Sequence, residues 1–209
     1  MALRAVVFDY GMVLTGPQDQ AAHAELVRLT GLPVDRFEQL YWADRHAYDE
    51  GKLTGLEFWH KIIRDGGIPR SEAEIQRFNQ LDGRMWSTVN DRMVAWQMNL
   101  KARGLLTGIL SNMGDSVLEV LLATHPWIAN FDVKVWSYQL RVAKPDPAIY
   151  RHTLELLGTD PRETLFIDDK AENIAAAQSL GIQAIQFSTP DKLRADLIAA
   201  GLDTELPLP

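Results

Sequence analysis

Apolar residues recur along this chain with two different periods. Ala5-Val6-Val7-Phe8 is an unbroken apolar run rich in β-branched and aromatic types, the pattern of a strand buried on both faces. It delivers Asp9 and, two residues on, Gly11. From residue 18 to residue 86 no useful stretch alternates with period two, so that segment reads as helices. Ala21, Ala22, Leu26 and Leu29 fall at helical spacing, with Gly31 as a stop. Phe37, Leu40, Tyr41 and Tyr48 predict a second helix ended by Gly51. Thr54 with Glu57, and Ser71 with Glu74, have the spacing of capping boxes at the start of two more. Strands and helices then alternate. Residues 90–103 predict a helix, and 105–110 a buried strand ending in Ser111-Asn112. A helix over 115–123 and a short strand over 131–136 follow. Residues 147–157 predict a helix with Pro147 in its first turn. A buried strand over 164–167 ends in Asp168-Asp169. A helix over 170–180, a strand over 182–187 and a helix over 193–200 complete the pattern. Leu206 to Pro209 reads as a loose end.

Repeated strand-helix units of this length predict an α/β fold, a doubly wound, Rossmann-like parallel sheet with an inserted α-helical cap domain. The predicted core comprises residues 1–15 and 89–209, and the predicted cap residues 16–88. A chain of 209 residues suits this division. Its net charge of −7, with no basic cluster, argues against a nucleic-acid partner. No apolar run approaches membrane-spanning length and the N-terminus lacks a signal-peptide pattern, so no membrane partner and a cytoplasmic location are expected. Zero cysteines exclude a disulfide framework, a thiolate metal site and a thiol nucleophile. The expected assembly is a monomer or dimer. An acidic protein that takes an anionic substrate needs local cations, from a metal ion or from placed Lys and Arg.

Three buried strands end in reactive residue types: Asp9, then Ser111-Asn112, then Asp168-Asp169. Parallel strands align their carboxyl ends, which brings these groups to one rim. Lys144, ahead of the helix at Pro147, is within reach of it. Each has an ordinary alternative. Asp9 and Gly11 also fit a turn in which the glycine takes a positive φ. Ser111-Asn112 also fits a strand end, Asp168-Asp169 a helix cap, and Lys144 a solvated surface position. Two adjacent acids after a buried strand are costly unless neutralised. The oxygen donors of Asp9 and Asp169, without Cys and without paired His, suit Mg²⁺, which binds one or two carboxylates plus phosphate oxygens.

These residues carry a resemblance to the haloacid dehalogenase superfamily, whose four motifs stand here in order. Phe8-Asp9-Tyr10-Gly11-Met12-Val13 is similar to the first and Leu110-Ser111-Asn112 to the second. Lys144-Pro145 is similar to the third, and Phe166-Ile167-Asp168-Asp169-Lys170-Ala171-Glu172-Asn173 to the fourth. Within the superfamily the chain resembles the branch of sugar-phosphate phosphatases typified by α-D-glucose-1-phosphate phosphatase. The resemblance implies a Mg²⁺-dependent phosphatase acting on a small phosphorylated metabolite through an aspartyl-phosphate at Asp9. It implies Mg²⁺ held by Asp9, the Gly11 carbonyl and Asp169, with Asp168 as a further ligand or acting through water. It implies Ser111 and the Asn112 amide at the phosphoryl oxygens, Lys144 offsetting charge, and Asn173 orienting the acidic loop or Lys144.

Gly11 departs from the family, most of whose phosphatases carry there an aspartate serving as general acid and base. That help is worth about 10²–10⁴-fold. Glycine there leaves three consequences: a preference for leaving groups that need little protonation, another recruited acid, or feeble catalysis. The first, with an anomeric phosphate, is the expectation. A metal-independent 2-haloacid dehalogenase and a non-catalytic member of the fold are the competing functions. Two adjacent acids oppose the dehalogenase, because metal-free dehalogenases have small polar residues there. In the cap, Tyr41, Trp42, Arg45, His46 and Tyr48 cluster. Arg45 is the candidate for a substrate anion and the aromatics for a sugar face; the alternative has Trp42 and Tyr48 packing the cap's own small core and Arg45 solvated. Trp59 and Trp86 are expected in core or hinge packing.

Overall fold

The computed structural model describes residues 2–209. Five strands form one all-parallel sheet: β1 (Ala5–Phe8), β2 (Leu106–Ser111), β3 (Val133–Trp136), β4 (Thr164–Asp168) and β5 (Gln183–Gln186). Their spatial order is β3-β2-β1-β4-β5. The first strand is therefore central, and the order reverses direction about it. Open α/β sheets bind ligands outside the carboxyl ends of the strands at such a reversal. Phe8 pairs in register with Ile109 on one side and Ile167 on the other. The residues that follow all three strands thus emerge side by side.

An all-parallel sheet needs cover on both faces, which is why β1 reads as an unbroken apolar run. Val6 and Phe8 enter one hydrophobic cluster while Ala5 and Val7 enter the other. Helices α6 (Asp91–Ala102) and α7 (Asp115–Thr124) cover the first face, and α9 (Pro147–Leu157) and α10 (Ala171–Ser179) the second. The short α8 (Ser137–Leu140) follows β3, and α11 (Pro190–Ala199) closes the chain's last helical turn sequence. Phe8 meets Trp96 and Phe131 edge-on at 5.6 and 5.9 Å, contacts worth about 0.5–1.5 kcal/mol each beyond their buried area.

The helical insert comprises α1 (Gln20–Thr30), α2 (Val34–Ala43), α3 (Arg45–Asp49), α4 (Gly55–Gly66) and α5 (Glu72–Met85). Both capping boxes form as spaced, at Thr54 with Glu57 and Ser71 with Glu74. The chain leaves the sheet body and returns to it side by side. Thr15 bridges Val89, the Gly16 amide donates to the Thr88 carbonyl at 2.8 Å, and the Asn90 amide to Leu14 at 3.0 Å. The insert's aromatic interior, with Phe37, Tyr41, Trp59 and Phe78, is continuous with the cluster on the first face of the sheet.

Three expectations are corrected. The helix expected through Phe37 to Tyr48 is two, broken at Asp44 (φ −118°, ψ 10°). The C-terminal residues are anchored: Leu206 and Leu208 are buried in the main cluster, and Arg92 Nε donates to the Pro209 carbonyl at 2.7 Å. The positive φ after Asp9 falls on Met12 (60°) rather than Gly11 (φ −65°). No described helix is long and apolar enough to cross a membrane.

Candidate active site

A cavity of about 390 Å³ opens where the insert meets the carboxyl ends of β1, β2 and β4. That is a volume for a small molecule. Asp9, Gly11, Ser111, Asn112, Lys144, Asp169 and Asn173 line it from the sheet body. Trp42, Arg45, His46 and Asp49 line it from the insert, with Trp86 at the return to the sheet.

Asp9 sits at the end of β1, its amide bonded to the Ile167 carbonyl at 2.8 Å. Its Oδ1 accepts from the Tyr10 amide at 2.7 Å and meets Lys144 Nζ at 2.9 Å. Its Oδ2 accepts no hydrogen bond among the described residues, which leaves one carboxylate oxygen held and the other without a partner on a residue that lines the cavity. Burial pushes the Asp9 carboxyl up to about 7. The Lys144 ammonium opposes that rise, and Asp168 and Asp169 add to it.

Lys144 is buried between two carboxylates, with Asp168 Oδ2 at 2.6 Å on its other side. Burial disfavours its charge, but Asp9 and Asp168 outweigh that and hold its pKa above the ordinary lysine value. Asn112 positions the lysine through its side-chain amide. Its Nδ2 donates to the Lys144 carbonyl at 2.9 Å and its Oδ1 accepts from the Lys144 amide at 2.8 Å. Both oxygens of Asp168 are engaged in turn. Oδ1 accepts from the Lys170 amide at 2.8 Å and from Asn173 Nδ2 at 2.9 Å, while Oδ2 accepts from Asn173 Nδ2 at 3.0 Å besides Lys144. These contacts suit Asp168 to holding Lys144. Asn173 is thus bonded to both carboxylate oxygens of Asp168. Ser111 Oγ makes no hydrogen bond among the described residues and belongs to the cavity wall.

Carboxylate oxygens of Asp9, Asp168 and Asp169 lie within 4.8 Å of one another. Burial followed by Asp168 raises the Asp169 carboxyl as well, against the pull of Lys170 and Lys144. An all-oxygen donor set short of positive charge fits a hard divalent cation such as Mg²⁺.

The insert's contribution departs from expectation in detail. Arg45 is buried, not solvated. Its Nε donates to Asp49 Oδ1 at 2.8 Å, and its Nη1 lies 3.5 Å from Asp82 Oδ1 and donates to the Tyr41 hydroxyl. Its guanidinium carbon lies 5.3–5.5 Å from the ring centres of Tyr41, Tyr48 and Trp86. Trp42 does not pack the interior of the insert; it is 49% exposed and lines the cavity, edge-on to Tyr41 and Trp86. Trp86 packs, as expected, and also lines the cavity. Tyr41 and Tyr48 are core residues, the Tyr48 hydroxyl accepting from the Val117 amide at 3.3 Å. The reading by motif passed over Asp49, Asp82, Met12 and Met113. Asp49 was signalled only by standing four residues after Arg45 on one helix.

Residues 3–181 match the haloacid dehalogenase-like hydrolases. The chain belongs to that family. It is therefore a hydrolase of the HAD type, with phosphatases among its relatives. It is 28% identical over 195 residues to Phosphatase MT3486 of Mycobacterium tuberculosis, covering 88% of this chain and 87% of that protein. Among solved structures, the HAD family enzyme bt-2542 of Bacteroides thetaiotaomicron, in complex with magnesium and inorganic phosphate, superposes with a TM-score of 0.74 at 23% identity. The match covers 90% of this chain and 95% of that one. L-2-haloacid dehalogenase of Xanthobacter autotrophicus superposes with a TM-score of 0.68 at 20% identity, over 96% of this chain and 84% of that one. The fold is thus shared with a HAD enzyme that was crystallised with magnesium and phosphate and with a dehalogenase, and the chemistry has to be argued from the side chains.

Proposed function

We propose that this hydrolase is a Mg²⁺-dependent phosphatase that cleaves a small phosphorylated metabolite, with a sugar phosphate as the first candidate, through an aspartyl-phosphate at Asp9. The observation that carries the proposal is the second acid, Asp169, on the rim beside Asp9 and Lys144. An aspartate that displaces halide from carbon needs no metal. Three crowded carboxylates make sense where a cation and a charge-dense phosphoryl group are brought together.

Asp9, Asp169 and the Gly11 carbonyl would hold Mg²⁺, which supplies Lewis-acid neutralisation of phosphoryl charge when bound. The remaining work belongs to the chain. Asp9 Oδ2 attacks phosphorus while Oδ1 stays fixed by the Tyr10 amide and Lys144. Ser111 Oγ and the Asn112 amide donate to phosphoryl oxygens. Lys144, held by Asn112 and Asp168, keeps its ammonium beside the attacking carboxylate. Water then attacks the phosphorus of the aspartyl-phosphate and frees Asp9. Trp42, Trp86 and Met12 offer an apolar wall to the body of the leaving group, against which a sugar ring face stacks.

The test is a screen of phosphorylated metabolites, glucose 1-phosphate and glucose 6-phosphate among them, with Mg²⁺ and with a chelator. Phosphate release that needs Mg²⁺ is expected. Chloride release from a 2-haloacid that survives the chelator would establish the dehalogenase instead.

A further inference from the structure

Phosphoryl transfer from an alkyl ester requires a proton for the departing oxygen, and Gly11 offers none. Only three carboxyl groups line the cavity among the described residues: Asp9, Asp169 and Asp49. The first is the nucleophile and the second faces the cation. We propose that Asp49 is the general acid and base of this enzyme, supplied by the insert rather than by the loop after β1. The proposal rests on the phosphatase reading above.

The geometry is that of a fixed group. Asp49 is the last residue of α3, and its side chain is only 16% exposed. Oδ1 is anchored by Arg45 Nε at 2.8 Å. Oδ2 accepts no hydrogen bond among the described residues, on a side chain that forms cavity wall. The residues around it are clamped to the sheet body. The Asp49 carbonyl accepts from Ser137 Oγ. The Tyr48 ring lies so close to Gly114 that a Cβ there would stand 2.2 Å from it. Gly51 takes a positive φ (73°) and presses on the Tyr138 backbone. The Gly55 amide donates to Asp115 Oδ1 at 2.9 Å. These contacts fall on the segments after β2 and β3, so Asp49 is registered against the loop that carries Ser111. It stands on the insert side of the cavity whose sheet side carries the nucleophile Asp9.

The charge balance around it also suits a proton carrier. Arg45 is shared by two acids, the part-buried Asp49 and the buried Asp82. Burial pushes the Asp49 carboxyl up to about 6, against the pull of Arg45 and Lys170 and with Asp82 adding to the rise. A group poised there donates and accepts near neutral pH. The other candidate on the insert, His46, is 71% exposed and pairs with Glu50 at 3.6 Å.

In the first step the Asp9 Oδ2–phosphorus bond forms as the bond from phosphorus to the ester oxygen breaks. The Asp49 proton passes to that oxygen, releasing a neutral alcohol. In the second, the Asp49 carboxylate takes a proton from water as the water oxygen bonds phosphorus and the bond to Asp9 breaks. Inorganic phosphate leaves, and both aspartates return to their starting states.

Asp49→Asn keeps an acceptor for Arg45 and removes the proton. Benzyl phosphate and p-nitrophenyl phosphate are close in shape, but only the benzyl alkoxide needs protonation to leave. The variant is expected to lose about 10²-fold more kcat/KM on benzyl phosphate than on p-nitrophenyl phosphate. Equal losses, or no loss, would overturn the assignment and leave the phosphatase reading standing. A wild-type enzyme that hydrolyses neither ester with Mg²⁺ would overturn both. A second measurement does not depend on the variant folding. Across substituted phenyl phosphates the wild-type kcat/KM is expected to vary little with leaving-group basicity, and a steep fall with basicity would overturn the assignment.

Discussion

Replacing Lys144 by methionine deletes a buried ammonium and keeps most of its stem. Its nitrogen lies 2.9 Å from Asp9 Oδ1 and 2.6 Å from Asp168 Oδ2, in a site 2% exposed. The variant strands two buried carboxylates side by side. Breaking a buried pair from one side costs about 3–5 kcal/mol, because the partner charge is left uncompensated. Here the cost also depends on pH in a stated direction. Burial already holds the Asp9 carboxyl up at about 7 with the lysine present, so without it Asp9 binds a proton still more readily in the fold. A carboxyl whose folded pKa is raised favours the fold below its unfolded value and loses that benefit as pH rises through the folded one. The deficit of Lys144→Met is therefore largest at pH 8 and shrinks at pH 5. Urea unfolding in a chelator, at both pH values, measures it. Mg²⁺ at ten times its dissociation constant should return about 1.4 kcal/mol if it binds only the folded variant. A variant that unfolds at the wild-type urea concentration at pH 8 would refute this account of the charge balance.

Three further outcomes follow from the same geometry. Gly11 has φ −65° and open space where a Cβ would stand, so Gly11→Asp should fold with a melting temperature at or slightly above wild type. It should also restore benzyl phosphate turnover to Asp49→Asn; a variant that does neither contradicts the reading of position 11. The Asp49 carboxyl, raised from 3.8 to about 6 mainly by burial, makes ionisation cost the fold about 3 kcal/mol. Asp49→Asn should thus match wild-type stability near pH 4 and exceed it by up to about that amount at pH 7.5, checked by paired melts. Gly114→Ala drives a methyl into the Tyr48 ring and should cost about 1–3 kcal/mol by overpacking, read by chemical denaturation.

The sheet and the residues at its rim were legible because both rest on local signals. β1 is apolar throughout since both its faces are covered, and the polar residues that end β1, β2 and β4 meet by topology alone. The two capping boxes were legible because they close within four residues. The break at Asp44 was not, because Arg45 turns inward to reach Asp82 on α5, a partner 37 positions away whose pull no helical period records. The burial of Leu206 and Leu208 depends on a groove built by distant segments. The burial of Arg45 and the place of Asp49 were hidden for the same reason. What makes them part of the cavity is the docking of α3 on the loops after β2 and β3, and that is a property of the assembled fold. Trp42 errs in the opposite direction, an aromatic that apolar counting assigns to the interior and the fold leaves half-exposed on the cavity wall.

The central claim is that Asp9 carries the phosphoryl group. Acid-quenching the enzyme during turnover of a phosphate ester that the metabolite screen identifies, followed by peptide mass analysis, tests it directly. The expected result is the added mass of one phosphoryl group on the peptide containing Asp9, formed with Mg²⁺, absent with chelator and absent in Asp9→Asn. Hydrolysis of the ester by an enzyme whose Asp9 peptide stays unmodified throughout, under quenching fast enough to trap it, would contradict the account.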